Sequence, residues 1–242
     1  MHIIKLNAIN STNHYLKELS SKQLVENFTI VVAKEQYAGK GQMGTTWVSD
    51  GGKNLTFSIL IKDLILEIQD LFTLNATISI AICHLLKKHS IPNVSIKWPN
   101  DIMSGSKKVG GILIENTVKT NGEFFSIVGV GLNVNQTHFD DLPKASSLAL
   151  VSNRVFDTDE LLVSLCNEIK RGVMVMHQDV NLVWKNYHTL MFRIDLPSVF
   201  KDLGGNKFMG IIKEVTHEGK LKVLLEDDTF REFGIKEVTL LY

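Results

Sequence analysis

The sequence predicts an α+β protein in two parts, a body of mixed helices and strands over residues 1–188 and a small all-β unit over residues 189–242. Three observations carry that reading. Two long segments, 67–89 and 157–187, repeat apolar residues at three- and four-residue steps. β-Branched runs lie before and between them. After residue 190 the texture changes to short strands roughly every eight to twelve residues, punctuated by turn residues, as in a small barrel or sandwich. At about 150 residues per domain, 242 residues suit one main core with an appendage.

In chain order, Ser11 caps a short helix that carries Tyr15, Leu16 and Leu19 on one face, and Phe28 to Ala33 (FTIVVA) is a buried-strand run. Five of the 17 glycines then crowd into AGKGQMGTTWVSDGGK between Ala38 and Lys53, before Asn54 to Lys62 (NLTFSILIK) returns to a strand pattern. The helix over 67–89 aligns Ile68, Leu71, Phe72, Ile78, Ile82, Leu85 and Leu86. Val94 to Trp98 reads as a strand stopped by Pro99, Val109 to Asn116 as another, and Asn121-Gly122 as a hairpin turn into Phe124 to Val134. Asp157 with Glu160 forms a capping box ahead of Leu162, Leu165, Ile169, Val173 and Met176, and the helical pattern continues over Val180 to Tyr187. Gly204-Gly205-Asn206, Glu218-Gly219 and Glu226-Asp227-Asp228 mark turns of the terminal unit. Its border, near His188 to Arg193, has no flexible linker, so the two parts are expected to pack together.

Composition excludes several function classes. Lys+Arg 26 against Asp+Glu 26 leaves no net field to hold nucleic acid or anionic lipid by counterion release. With 44% hydrophobic and 21% charged residues the chain can bury a core. No apolar run approaches the roughly 20 residues of a membrane span, and the N-terminus lacks the order of a secretory signal, so a cytoplasmic protein without a membrane partner is expected. Cys83 and Cys166 sit within helical patterns with no Cys or His at metal-ligand spacing, as buried free thiols would.

Four segments carry chemistry. Gly39-Lys40-Gly41-Gln42-Met43-Gly44 matches G-x-G-x-x-G, whose glycines bring backbone N–H groups against phosphate. The dinucleotide-binding fold needs a helix after the third glycine, and Thr45-Thr46-Trp47-Val48 is β-branched instead. A protein kinase would show H-R-D and D-F-G, and a P-loop would show G-x-x-x-x-G-K-[ST]; neither occurs. Second, Lys97-Trp98-Pro99-Asn100-Asp101 puts a cation, an amide and a carboxylate at a strand end; a plain turn explains it as well. Third, Lys107-Lys108-Val109-Gly110-Gly111-Ile112-Leu113 opens a strand with paired lysines, which also suit a solvated hairpin. Fourth, in Gly129-Val130-Gly131-Leu132-Asn133-Val134 alternate glycines clear one strand face, as for a ligand lying across it.

Taken together these segments resemble the biotin protein ligases. Ser11-Thr12-Asn13, Gln36, Gly39 to Gly44 with Trp47, Lys97 to Asp101, Lys108 to Leu113 and Gly129 to Asn133 stand in that family's order and approximate spacing, and the likeness covers essentially the whole chain. The resemblance implies a class II synthetase-like catalytic domain, a mixed β-sheet flanked by helices, over 1–188, and an SH3-like β-barrel over 189–242. It further implies an ATP-dependent ligase that makes biotinyl-5'-AMP and biotinylates a lysine of a biotin carboxyl carrier domain. A short form without the helix-turn-helix of the repressor-type members, and hence no DNA binding, is expected. Family members pair through sheet edges, and the sequence leaves open whether this chain forms a homodimer.

By the same resemblance Lys108, Lys40 and Asp101 are the catalytic candidates. Ser11, Thr12, Asn13, Gln36, Lys40, Gly41, Gln42, Lys108, Gly110 and Gly111 would hold biotin. Gly39, Gly41, Gln42, Met43, Gly44, Trp47, Lys97, Asn100 and Asn133 would hold ATP, with Asp101 toward Mg²⁺. For Trp47, adenine packing and a core aromatic remain alternatives. The family's loop usually reads G-R-G-R-x-G; here Lys40 keeps a charge without the bidentate fork, and Gln42 keeps only hydrogen bonding. A lipoate-type ligase or acyltransferase of the related fold is the alternative, and a non-catalytic binding protein is the third reading.

Overall fold

The computed structural model describes residues 1–62, 71–118, 124–140 and 142–242. Seven strands form one mixed sheet in the order β1-β2-β3-β7-β6-β5-β4: β1 (Ile3–Ile9), β2 (Ile30–Gln36), β3 (Leu55–Lys62), β4 (Val94–Lys97), β5 (Asp101–Ser104), β6 (Lys107–Val118) and β7 (Phe124–Leu132). Only β1 and β2 run parallel; the other neighbours are antiparallel. β3 lies inside the sheet, between β2 and β7, and is buried at seven of its eight positions, which is why it reads as a continuous apolar run rather than an alternation.

Helix α1 (Thr12–Lys22) covers one face, packing Leu16 with Val31, Leu60, Phe125 and Ile127. On the other face lie α2 (Phe72–Lys88), α4 (Thr158–Gln178) and α5 (Val180–Leu190), while α3 (Leu148–Ser152) is a short turn of helix. The caps follow the sequence: the Ser11 hydroxyl accepts from His14 N, and the Asp157 carboxylate accepts from the N–H groups of Asp159 and Glu160. Cys83 and Cys166 are buried free thiols, both pushed up to about 12 by burial.

Two strands escaped the sequence reading. β1 is an edge strand with a half-exposed, mixed pattern, and β5 begins inside a segment read as a terminating turn. In fact Trp98-Pro99-Asn100 is the loop of a hairpin whose last pair is Lys97 opposite Asp101. The expected hairpin turn at Asn121-Gly122 and the first turn of the expected 67–89 helix, with Ile68, lie outside the described residues.

Five antiparallel strands complete the chain in the order β11-β10-β9-β8-β12: β8 (Pro197–Asp202), β9 (Lys207–Val215), β10 (Leu221–Leu225), β11 (Phe230–Phe233) and β12 (Val238–Leu241), an SH3-like arrangement. Gly205, Gly219 and Asp228, at three of the expected turns, take left-handed φ of 85°, 85° and 60°. Phe200, Val223, Phe233 and Val238 join the same apolar core as the body, so the two sheets share one interior. Trp98 Nε1 donates to Gly219 O at 2.9 Å and Phe192 N to Ile96 O at 2.8 Å, tying the β4–β5 hairpin to the terminal unit.

Candidate active site

Residues from α1, the glycine-rich loop, the β4–β5 hairpin, β6, β7 and the terminal unit line one cavity of about 350 Å³. The loop folds back on itself as a narrow hairpin. Trp47 N donates to Gly39 O at 3.0 Å and Gly41 N to Thr45 O at 2.7 Å, with Met43 and Gly44 at left-handed φ of 52° and 82°. A Cβ on Gly39 would stand 2.5 Å from the Trp47 carbonyl oxygen, and one on Gly41 would collide with the Thr45 hydroxyl, so the fold-back needs both glycines. The Gly41 amide is thereby committed within the loop.

The charged centre is compact. Asp101, at the start of β5, has one carboxylate oxygen 2.6 Å from Lys108 Nζ and the other 3.0 Å from Lys97 Nζ. Lys108 is anchored through its backbone, with N donating to Lys144 O at 2.7 Å and O accepting from Ser146 N at 2.9 Å. Its Nζ lies 5.9 Å from the Trp47 ring centroid. The Tyr242 ring packs beneath Lys144 and Lys97 at 3.9 and 5.5 Å, and burial, then the nearby Asp101 charge, raise its phenol above the ordinary range.

A second, polar patch lies along α1. Gln36 Oε1 accepts from Thr12 N at 2.7 Å and from Thr12 Oγ1 at 3.0 Å, while Ser58 Oγ stands 2.7 Å from Thr12 Oγ1 and 2.5 Å from Asn13 Oδ1. Asn13 Nδ2 donates to Glu115 Oε2 at 2.7 Å. Both ends of the Asn13 amide are therefore held by the protein itself, and the whole residue is 4% exposed.

Of the expected residues, Ser11, Thr12, Asn13, Gln36, Lys40, Gly41, Gln42, Met43, Trp47, Lys97, Asn100, Asp101, Lys108 and Gly111 line this cavity. Gly39, Gly44, Gly110 and Asn133 do not appear in its wall. Asn133 is buried and donates from Nδ2 to Ser146 O at 3.0 Å, pinning the segment that anchors Lys108. Asn100 also serves the framework, giving Nδ2 to Ile112 O at 2.7 Å. The strand face cleared by Gly131 is filled by the Trp47 indole rather than left bare. Asp101 does not fit the expected Mg²⁺ role as it stands: both its oxygens face ammonium groups, which a cation would have to displace. Ser58, Glu115 and Lys236 were not expected. Lys236 Nζ donates to Met43 O at 2.7 Å across the junction of the two sheets, a pairing that no local sequence pattern announces.

Comparison with known proteins gives the family of the chain. The chain is 32% identical over 196 residues to the bifunctional ligase/repressor BirA of Bacillus spizizenii, covering 77% of this chain and 59% of that protein. It is 23% identical over 201 residues to the biotin–[acetyl-CoA-carboxylase] ligase of Mycobacterium tuberculosis, covering 79% and 71%. The chain thus spans about three-fifths of the Bacillus relative's length. The crystal structure of the biotin protein ligase from Aquifex aeolicus in complex with biotin and ATP superimposes with a TM-score of 0.82 at 25% identity, over 99% of this chain and 98% of that one. Residues 6–135, from β1 through β7 and hence nearly every wall of the cavity outside the terminal unit, match one family profile, and the chain belongs to the biotin/lipoate A/B protein ligase family.

Proposed function

We propose that this chain is a biotin–protein ligase, which joins biotin to ATP as biotinyl-5'-AMP and passes the biotinyl group to a lysine of a biotin carboxyl carrier domain. The observation that carries the reading is the Lys97–Asp101–Lys108 array in the cavity wall. In the first step a carboxylate oxygen of biotin attacks the α-phosphorus, the bond to the β-phosphate breaks and pyrophosphate leaves. Two anions must meet, and the two ammonium groups, against one carboxylate, leave one net positive charge to offset their repulsion. Asp101 aims Lys108, and Lys40 in the loop adds a third cation to the wall. In the second step the carrier's ε-amine attacks the acyl carbon of the mixed anhydride, AMP leaves and the amine loses a proton.

Thr12 and Gln36, in the cavity wall, supply polar groups of the kind a ureido head requires. A lipoyl chain has no such head, so this patch favours biotin over the related acid. Gln42 in the loop hydrogen-bonds the adenylate without charge. The test is incubation with a carrier domain, ATP and either biotin or lipoate, followed by a streptavidin blot and acid-dependent ATP/pyrophosphate exchange. Exchange and labelling with biotin alone are expected; exchange with lipoate alone, or with neither acid, overturns the reading.

A further inference from the structure

Glu115 does not line the cavity, yet it accepts a hydrogen bond from Asn13, which does. An amide side chain has one donating and one accepting end. Asn13 Nδ2 donates to Glu115 Oε2 at 2.7 Å and, at the longer distance of 3.5 Å, to Leu113 O, so Asn13 Oδ1 is turned toward Ser58 and Glu115 is the nearer of the two acceptors that turn it. Three oxygen–oxygen contacts then run in series, from Asn13 Oδ1 to Ser58 Oγ to Thr12 Oγ1 to Gln36 Oε1, at 2.5, 2.7 and 3.0 Å. Gln36 Oε1 is fixed as an acceptor by the Thr12 N–H. The two amide oxygens carry no protons, so the three contacts share the hydroxyl protons of Ser58 and Thr12 alone, and one contact always lacks a donor. Thr12, Asn13 and Ser58 are buried, so bulk water does not freely make up the deficit.

The clamp on Asn13 is steric as well. A Cβ on Gly129 would run into Asn13 Oδ1, so the amide rests on bare backbone of β7, with Ser58 of β3 on one side and Glu115 of β6 on the other. Reversing the amide would supply the missing donor to Ser58 but would turn its oxygen onto the Glu115 carboxylate, which opposes the flip.

We propose that Glu115 is a specificity-determining positioning residue: by holding the Asn13 N–H away from the cavity it leaves this wall one donor short, so that the cavity selects a ligand head bringing its own N–H. The inference rests on the biotin reading above, since the ureido ring has two such donors.

The experiment is calorimetric titration of the full chain and its Glu115→Met and Glu115→Gln variants with biotin, dethiobiotin and octanoate, the last sharing a carboxylate tail but no N–H. In Glu115→Met the Kd values for biotin and dethiobiotin are expected to rise about tenfold, the worth of one net hydrogen bond, with octanoate binding, kcat and the KM for ATP unchanged. In Glu115→Gln, which keeps an acceptor, the ratio of biotin to octanoate affinity is expected to stay within about threefold of wild type. Unchanged biotin affinity in a folded Glu115→Met, or parallel loss of octanoate, overturns the inference. Should Glu115→Met not fold, the Glu115→Gln ratio decides alone, and a tenfold fall or more there overturns it. A wild-type chain that binds no biotin overturns the ligase reading itself, whereas biotin binding without a Glu115 effect overturns this inference only.

Discussion

The indole of Trp47 rests on the bare backbone of Gly131: a Cβ at Gly131 would stand 2.5 Å from both Cε2 and Cζ2 of the ring. Trp47 Nε1 is buried there without a hydrogen-bond partner, and Lys108 Nζ lies over the ring. Gly131→Ala is therefore expected to expel the indole toward solvent. The other two tryptophans, Trp98 and Trp184, are 9% and 4% exposed, so a red shift in emission that disappears in a Trp47→Phe background reports this displacement. An unshifted spectrum in Gly131→Ala contradicts the contact.

In the proposed reaction Lys108 offsets the charge of the two reacting anions, and its removal leaves Lys97 on Asp101. Lys108→Ala is expected to lower biotin-dependent ATP/pyrophosphate exchange by about 10²- to 10³-fold, the scale seen when one preorganised group is deleted from a transition-state site. The melting temperature should change little, because the side chain is 35% exposed and solvent screens the pair. Near-normal exchange in a folded variant removes Lys108 from the chemistry.

The loop is held from outside by Lys236, whose ammonium donates to the Met43 carbonyl. One hydrogen bond from an exposed lysine is worth about 1 kcal/mol. Lys236→Ala should consequently speed amide hydrogen exchange in peptides covering residues 40–46 by about fivefold without altering exchange in β3 or β7. Equal exchange in the two proteins means the contact does not restrain the loop.

Burial pushes the thiols of Cys83 and Cys166 up to about 12. Unfolded thiols ionise near pH 8.5 or so, so above that pH the unfolded chain binds fewer protons than the native one, and stability falls as pH rises toward about 12. The loss approaches about 1.4 kcal/mol per pH unit per thiol. Urea midpoints measured between pH 8 and pH 11 should accordingly fall more steeply for wild type than for a Cys83→Ala, Cys166→Ala double variant. Parallel slopes would show that these thiols do not govern the alkaline limb.

Asp157 caps α4 through two backbone N–H groups, at 2.8 and 3.0 Å. Asp157→Ala is expected to cost about 1 kcal/mol, or about 2 to 4 °C in Tm for a chain of this size. Asp157→Asn, which can still accept, should recover most of it; if both variants melt alike, the cap is electrostatic rather than a hydrogen bond.

Much of this protein was legible in local pattern. The buried run of β3, the three-and-four spacing of α4, the caps at Ser11 and Asp157 and the turns at Gly205 and Gly219 follow from side-chain periodicity and backbone freedom, which act over a few residues. The segments of the cavity wall were recognisable for the same reason: glycines and lysines at fixed intervals mark backbone that a ligand or another chain segment approaches. What tertiary structure alone decided were pairings across long separations. Asn13 meets Glu115, Lys236 meets Met43, and Trp47 covers Gly131, each through side chains brought together by sheet order and by docking of the terminal unit. Even Lys97 and Asp101, four residues apart, became an ion pair only because a hairpin turned their strands back on one another, where a terminating turn would have splayed them. Local sequence specifies which conformations are cheap; which donors face which acceptors is set by the global packing that selects among them.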